Sequence, residues 1–499
     1  MKNLMYYNVK RIIRQQYFRV WILFFVLCVI IGIQFTILLQ AEYVYDPQDA
    51  GHILNEGEKG LILFDYGGAE NYPLFEYKYY EKLEPIFLPT DLYKEGYIFT
   101  GWDIPNVNNV LYLNNKETTT CRAQFKKNYY NEDNPIIIYT NELEYESFEA
   151  KDYAAMNVKA DEIYINGPYK ITVYSKENFE GKGTQINYYQ DYSGRIKSMK
   201  VQEIKSDSIL CNSYDSEGIN MLLHKFAPRF WWAKGEQYFA DNVENALVNM
   251  ERVMSNMGYM FIIRDFVYSK MYYKYDMPYI FGDLPNAKVY GFATEKEYNY
   301  IDLQYFVFTP FNYGKELFGM PFGNHIGDWE NIIVRLYRYE HDGDIYYKPI
   351  LMNFKAHSFN YFLPWDEIEI VEETHPVCYL AKGSHGIWNT PGEHTYINYV
   401  IVKLSDECNR GICWDTWTND ILETYSYDVR TKIGVGVGNS VWNTIFDIDF
   451  YNPDSNSVVL WGNMAWESEV TLYPELDSGP SSPQAKVTMN DYYSMNKTK

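Results

Sequence analysis

The sequence predicts a mainly β, multidomain protein with one N-terminal transmembrane helix and a β-sandwich-like C-terminal domain. Three observations carry that expectation. The chain is 499 residues long, enough for about three domains. Aromatic residues make up 18% of it, with 51 Tyr and 12 Trp, and they fall in short runs with β-branched residues bounded by turn formers. One stretch of 20 residues, Val20 to Leu39, holds no charge and is long enough to span a bilayer.

The amino terminus is read first. Residues 1–19 carry Lys2, Lys10, Arg11, Arg14 and Arg19 and no acid, whereas Glu42, Asp46, Asp49, Glu56 and Glu58 precede the next base, Lys59. Positive charge on the amino side alone places a basic tail, 1–19, in the cytosol and a signal anchor, 20–39, in the membrane, with the bulk of the chain extracellular or lumenal. The competing reading is a secreted protein cleaved near Ala41. The anchor is preferred because the apolar run exceeds the usual 7 to 15 residues of a signal core. With 44 bases against 66 acids, a formal charge of -22, the chain repels polyanions, so no nucleic-acid partner is expected.

Five of the six cysteines follow the apolar run, an odd number. Cys408 and Cys413 flank a turn-like Asn409-Arg410-Gly411 and, on spacing alone, are candidates for a local bridge. Paired C-x-x-C spacings of the zinc type are absent.

Three blocks and a tail, 486–499, follow the membrane segment. Residues 43–127 read as a small β-rich module. Their centre, Glu95-Gly96-Tyr97-Ile98-Phe99-Thr100-Gly101-Trp102, resembles the core of the Listeria–Bacteroides repeat, which implies a β-grasp-like unit. A plain hairpin, with Gly in the turns and Trp in a core, accounts for the same letters. Residues 134–206 offer strands at Pro135 to Tyr139 and Lys170 to Tyr174. Here Tyr174-Ser175-Lys176-Glu177-Asn178-Phe179-Glu180-Gly181, with Ser198 downstream, resembles the Y-x-x-x-x-F-x-G signature of the β/γ-crystallin Greek key. The segment Ser193-Gly194-Arg195-Ile196-Lys197-Ser198 lacks the acidic oxygens through which many members of that family bind calcium, so none is expected there.

The block 221–485 carries the chemistry. Six of the eight His lie between His325 and His394. In His325-Ile326-Gly327-Asp328-Trp329-Glu330, running into a β-branched strand, Asp328 and Glu330 project from one face, and His325 is placed in a loop folding back beside them. Two carboxylates and an imidazole suit a divalent cation: calcium, magnesium or manganese. His385, after Gly383-Ser384 at the end of an apolar run, and His357 are further candidate metal ligands. Each of these imidazoles serves equally well by satisfying a loop carbonyl. His341, in Glu340-His341-Asp342-Gly343, is read as a hairpin turn and set aside. Trp388, Trp414 and Trp417 are candidate ligand-binding rings, because sugar faces stack on indoles.

Several motifs in one order, Phe226-Ala227-Pro228-Arg229-Phe230, Glu236-Gln237-Tyr238-Phe239, Asp302 to Phe308, the G-D-W-E-x-x-x-V-R run, His357-Ser358, the A-K-G-S-H-G run and Gly479-Pro480-Ser481-Ser482-Pro483, resemble the vacuolar protein sorting-associated protein 62 family. The resemblance implies fold more than activity. The H-x-x-D-W-E arrangement is also similar to the cation-binding core of the necrosis- and ethylene-inducing peptide-like proteins, although Ile326-Gly327 stand where those proteins carry Arg-His. The leading expectation is therefore a membrane-anchored or secreted protein that binds a carbohydrate or lipid head group through a divalent cation, with no catalytic residue assigned. The alternatives are a metal-assisted hydrolase, for which no G-x-S-x-G or H-E-x-x-H signature exists, and a necrosis-inducing-like membrane-active protein.

Overall fold

The computed structural model describes residues 57–461 with interruptions, the longest at 264–277 and 439–450, together with Leu54 and Pro483. The basic tail 1–19, the apolar segment 20–39 and the tail 486–499 lie outside the described residues, among which no helix is long and apolar enough to cross a membrane. The chain is mainly β and divides into two compact units, one made of residues up to Pro89 with Thr100–Phe125, the other of Thr90–Phe99 and everything from Lys126.

Strands Phe75–Glu81, Lys59–Asp65, Thr119–Lys127 and Tyr97–Trp102 form one sheet in that order, most of whose residues belong to the first unit. Period-two alternation sends Ile62 and Phe64 inward, where the Trp102 ring meets Phe64 edge-on at 5.7 Å. The Trp102 indole N–H donates to the Pro89 carbonyl at 2.9 Å. Gly96 turns the chain at a φ of 72°, a conformation that costs glycine little.

The second unit begins with two small sheets. Strands Gly183–Ile186, Tyr169–Tyr174 and Ser198–Glu203 form one, and Tyr189–Ile196, Val158–Ile165, Ile136–Tyr139 and Tyr145–Phe148 the other. They share a core that includes Ile136, Ile163, Ile171, Val173 and Met199. In the Tyr174 to Gly181 segment the rings of Tyr174 and Phe179 meet edge-to-face at 6.1 Å, and Gly181 takes a φ of 89°. Ser198 Oγ donates to the Lys176 carbonyl (2.6 Å) and accepts the Phe179 N–H (2.9 Å), pinning the turn from beneath. Ser198→Ala removes both bonds from a buried site and is expected to cost about 1–3 kcal/mol, read as a fall in the urea midpoint.

Beyond them, helix Ser216–Lys225 starts at Asp215, whose carboxylate accepts the N–H groups of Glu217 and Gly218, and buries Leu222 and Leu223. The large sheet runs Ile209–Leu210, Asp344–Ala356, His325–His341, Tyr300–Asn312, Val289–Glu295, Leu422–Asp428, Ile433–Val437, with Phe359–Pro364 also paired to Asp344–Ala356. A smaller sheet runs Ile370–Val371, His375–Leu380, Arg229–Trp232, Ile412–Asp415, with Ile387–Trp388 beside His375–Leu380. Phe230, Trp232, Leu380 and Trp414 of the smaller sheet share one core with Leu303, Tyr305 and Val334 of the larger.

Three expectations are corrected here. His325 opens the 17-residue strand His325–His341 rather than lying in a loop before it. Cys408 and Cys413 do not form a bridge; both thiols are free. Cys408 ends a strand paired with Gly392–Asn398 and points its thiol at the Tyr379 carbonyl, whereas Cys413 lies in the smaller sheet and is exposed. Trp414 is only 6% exposed, packed against Phe230 and Trp232, so it is a core residue and not a stacking platform.

Candidate functional site

Two neighbouring strands of the large sheet set up the site. Thr309 stands opposite Asp328 and Asn312 opposite His325. Between those pairs Gly327 takes a φ of 67°, which breaks the regular alternation and lets His325 Nδ1 donate to the Gly327 carbonyl at 2.6 Å. Because a carbonyl only accepts, that bond fixes the tautomer. His325 Nε2 is left as an acceptor and takes a hydrogen from Asn312 Nδ2 at 3.1 Å. The Asn312 amide also reaches Asp328 Oδ2 (3.2 Å), and its oxygen accepts the Gly314 N–H (2.6 Å).

The loop Ala381–Gly386 brings the third party. Gly383, at φ 76°, has no room for a side chain, because a Cβ would lie 2.9 Å from the Gly314 carbonyl. His385, at φ 55°, turns its wholly buried ring between two acids. Its Nδ1 is 3.3 Å from Asp328 Oδ2 and 3.1 Å from Thr309 Oγ1, and its Nε2 is 3.8 Å from Glu236 Oε2, an ion-pair separation. Glu236 is held by the N–H groups of Gln237 (2.8 Å), Tyr238 (2.9 Å) and Gly383 (2.6 Å).

Burial alone disfavours charge on His385, but hydrogen bonds and attraction from Asp328 and Glu236 outweigh it and lift the imidazole to about 10. Burial likewise opposes charge on Glu236, and the His385 contacts with the backbone N–H groups overcome it, holding the acid at about 2. The result is an imidazolium between two carboxylates.

A second cluster adjoins the first through the Ser384–His385 peptide. Asp406, wholly buried, accepts from Ser384 Oγ (2.6 Å), Lys315 Nζ (2.8 Å), His357 Nε2 (3.0 Å) and Trp388 Nε1 (2.8 Å). Burial would raise its carboxyl, yet His357 and Lys315 keep it well below the usual range. The Tyr396 ring stacks on His357 at 3.9 Å, and His394 stacks on Trp388 at 4.2 Å. Gly386 leaves the space Asp406 needs, since a Cβ there would lie 2.9 Å from its carboxylate.

Of the residues singled out in the sequence, His325 and His385 thus meet at Asp328. His357 goes to a different acid, Asp406. Glu330 is half-buried and stands opposite Val307, two residues further along the strand. Trp388 joins the second cluster, and Trp417 stacks on His375 at 3.9 Å with the Arg229 guanidinium 5.6 Å from its ring. Glu236, Asn312, Lys315 and Asp406 were missed. Glu236 carried a signal, its place in the ordered motifs; Asp406 carried none.

Among the described residues no group of three His, Cys, Asp or Glu side chains is set for a metal, and His325 Nε2 already accepts from Asn312.

No family profile matches the chain. It is 28% identical over 210 residues to vacuolar protein sorting-associated protein 62 of Saccharomyces cerevisiae, covering 39% of this chain and 42% of the relative. It is 27% identical over 183 residues to a putative vacuolar protein sorting-associated protein of the same yeast, covering 31% of this chain and 37% of that one. The chain therefore spans less than half the length of the curated relatives it matches. Among solved structures, a toxin fold for microbial attack and plant defense shares 12% identity at a TM-score of 0.24, over 44% of this chain and 79% of that one. NLPPya in complex with glucosamine shares 12% at a TM-score of 0.23, over 42% and 78%. The two yeast matches support kinship with the vacuolar protein sorting-associated protein 62 family over about a third of the chain.

Proposed function

We propose that the protein is a recognition factor of the secretory pathway, anchored through residues 20–39, whose C-terminal block binds a carbohydrate or lipid head group. One observation carries this reading. A single buried carboxylate, Asp406, fixes an imidazole and an indole, both with solvent access, the imidazole stacked with Tyr396 and the indole with His394 and Tyr361. Sugars and polyol head groups need such a surface: apolar ring faces to stack on, and polar edges held in one orientation. The names of the yeast relatives support placing that recognition in vacuolar sorting.

A calcium, magnesium or manganese ion enters this reading only as an exchange. It would draw on Asp328 and His325 by displacing Asn312 and the proton on His385.

Calorimetric titration of the protein with a panel of oligosaccharides and short-chain phospholipids tests the proposal. Trp388→Ala and His357→Ala are each expected to weaken binding at least tenfold, about 1.4 kcal/mol. Trp388→Phe, which keeps the stacking and loses the bond to Asp406, falls between. Absence of binding across the whole panel ends this reading. In a separate calorimetric titration with manganese, binding by this exchange is expected to release a proton, seen as a heat that changes with the buffer's ionisation enthalpy.

A further inference from the structure

Nine large hydrophobic side chains stand exposed among the described residues, and six of them, Leu74, Phe75, Tyr77, Tyr79, Phe87 and Tyr112, belong to the smaller, amino-terminal unit. Three lie on one strand. Phe75–Glu81 is the edge of its sheet, and alternation turns Phe75, Tyr77 and Tyr79 to the same side at 51%, 64% and 67% exposure. The register sets them opposite Asp65, Leu63 and Leu61, with the two leucines half-buried behind the rings. Acids on this side stand only at the two ends, Asp65 and Glu81. Within the strand itself, Glu76 faces the other way and accepts the Tyr66 hydroxyl. An apolar patch of this kind marks a surface that meets something.

The chain itself indicates what that is. Only 19 residues separate Leu39, the end of the apolar run, from Lys59, where the sheet begins. Fully extended, they reach at most about 65 Å. A bilayer holding residues 20–39 is therefore always within range of this face, at the high effective concentration a short tether imposes. Tyrosine and phenylalanine suit the destination: rings that bury an apolar body, with hydroxyl tips that stay wet, concentrate at the membrane–water boundary. We propose that the Phe75, Tyr77 and Tyr79 face lies on the bilayer that holds the anchor, dipping its rings into the head-group region. This inference rests on the anchoring assumed in the proposed function.

The experiment uses the full chain reconstituted in phosphatidylcholine vesicles, with a protease site introduced within residues 43–50. Resistance to alkaline carbonate extraction first establishes the anchor. After cleavage, the wild-type fragment is expected to float with the vesicles. A Phe75→Ser, Tyr77→Ser, Tyr79→Ser variant with unchanged melting temperature is expected to be released at least tenfold more, while Tyr112→Ser stays bound. Release of the wild type as complete as that of the triple variant overturns the proposal, whether the fragment emerges as a monomer or as a dimer whose second copy covers the face. If carbonate extracts the uncut chain, the anchor reading fails by itself. The chain beginning after Ala41 is then mixed with the same vesicles: flotation of wild type but not of the triple variant upholds the face, and flotation of neither overturns it.

Discussion

Replacing His385 with alanine is expected to destabilise the protein by about 3–5 kcal/mol, because it leaves Asp328 and Glu236 buried with no positive charge between them. His385→Asn is the sharper variant, since asparagine tolerates the left-handed backbone at this position and removes the charge alone. Urea midpoints at pH 7 measure both, and a loss below about 1 kcal/mol in each would show that the ring does not hold the two acids together. The pH dependence carries a sign. The imidazole is raised from 6.5 to about 10 in the folded protein, so its contribution is complete below pH 6.5 and is lost as pH rises through about 10. Glu236 is lowered from 4.5 to about 2, so its contribution is complete above pH 4.5 and is lost as pH falls through about 2. The cluster thus contributes fully between about pH 4.5 and 6.5. The alkaline decline is expected to disappear in His385→Asn.

The second large effect lies in the core of the large sheet. Arg335 and Asp302 face each other across neighbouring strands, both wholly buried, joined by two parallel bonds of 2.7 and 2.8 Å. The guanidinium lies 4.8 Å from the Tyr300 ring and 5.0 Å from that of Tyr188. Arg335→Met leaves the aspartate alone in the interior and is expected to cost about 3–5 kcal/mol. Arg335→Lys does not rescue, because a point charge cannot reproduce the fork or lie flat between two rings. The double variant Arg335→Met with Asp302→Leu is expected to recover most of the loss, since removing both charges also removes their desolvation cost. A double-mutant cycle by chemical denaturation reads the coupling, and additive losses would refute it.

How much of this was legible in the sequence follows from the range of the interactions involved. The β class was legible because side-chain alternation is local, as in Ile62 and Phe64 of the first sheet. The meeting of imidazole and acid at Asp328 was legible in part, since His325 is near in sequence and His385 follows a turn-forming Gly383. Its second carboxylate was not, because Glu236 arrives from a different segment and is aimed by backbone N–H groups of Gln237, Tyr238 and Gly383. Asp406 was invisible for the same reason: four donors from three other segments, two of them in turns, converge on it. The candidate bridge between Cys408 and Cys413 does not form, because nearness along the chain says nothing about which sheet each strand joins. Trp414 could have been placed correctly, since strand alternation sets it opposite in direction to the exposed Cys413.

Under the proposed anchoring, leaving five thiols unbridged among the described residues has a consequence. Exchange with glutathione or with an oxidoreductase needs a thiolate that a partner can reach. Burial raises Cys121 to about 12 and pushes Cys378 and Cys408 well above the ordinary thiol value, so the folded chain keeps them both protonated and out of reach. Their protection is conditional on folding. While the strands are still unpaired, nothing in the fold shields these sulfurs, so a thiol-blocking reagent is expected to label Cys121, Cys378 and Cys408 in the denatured chain and not in the folded one.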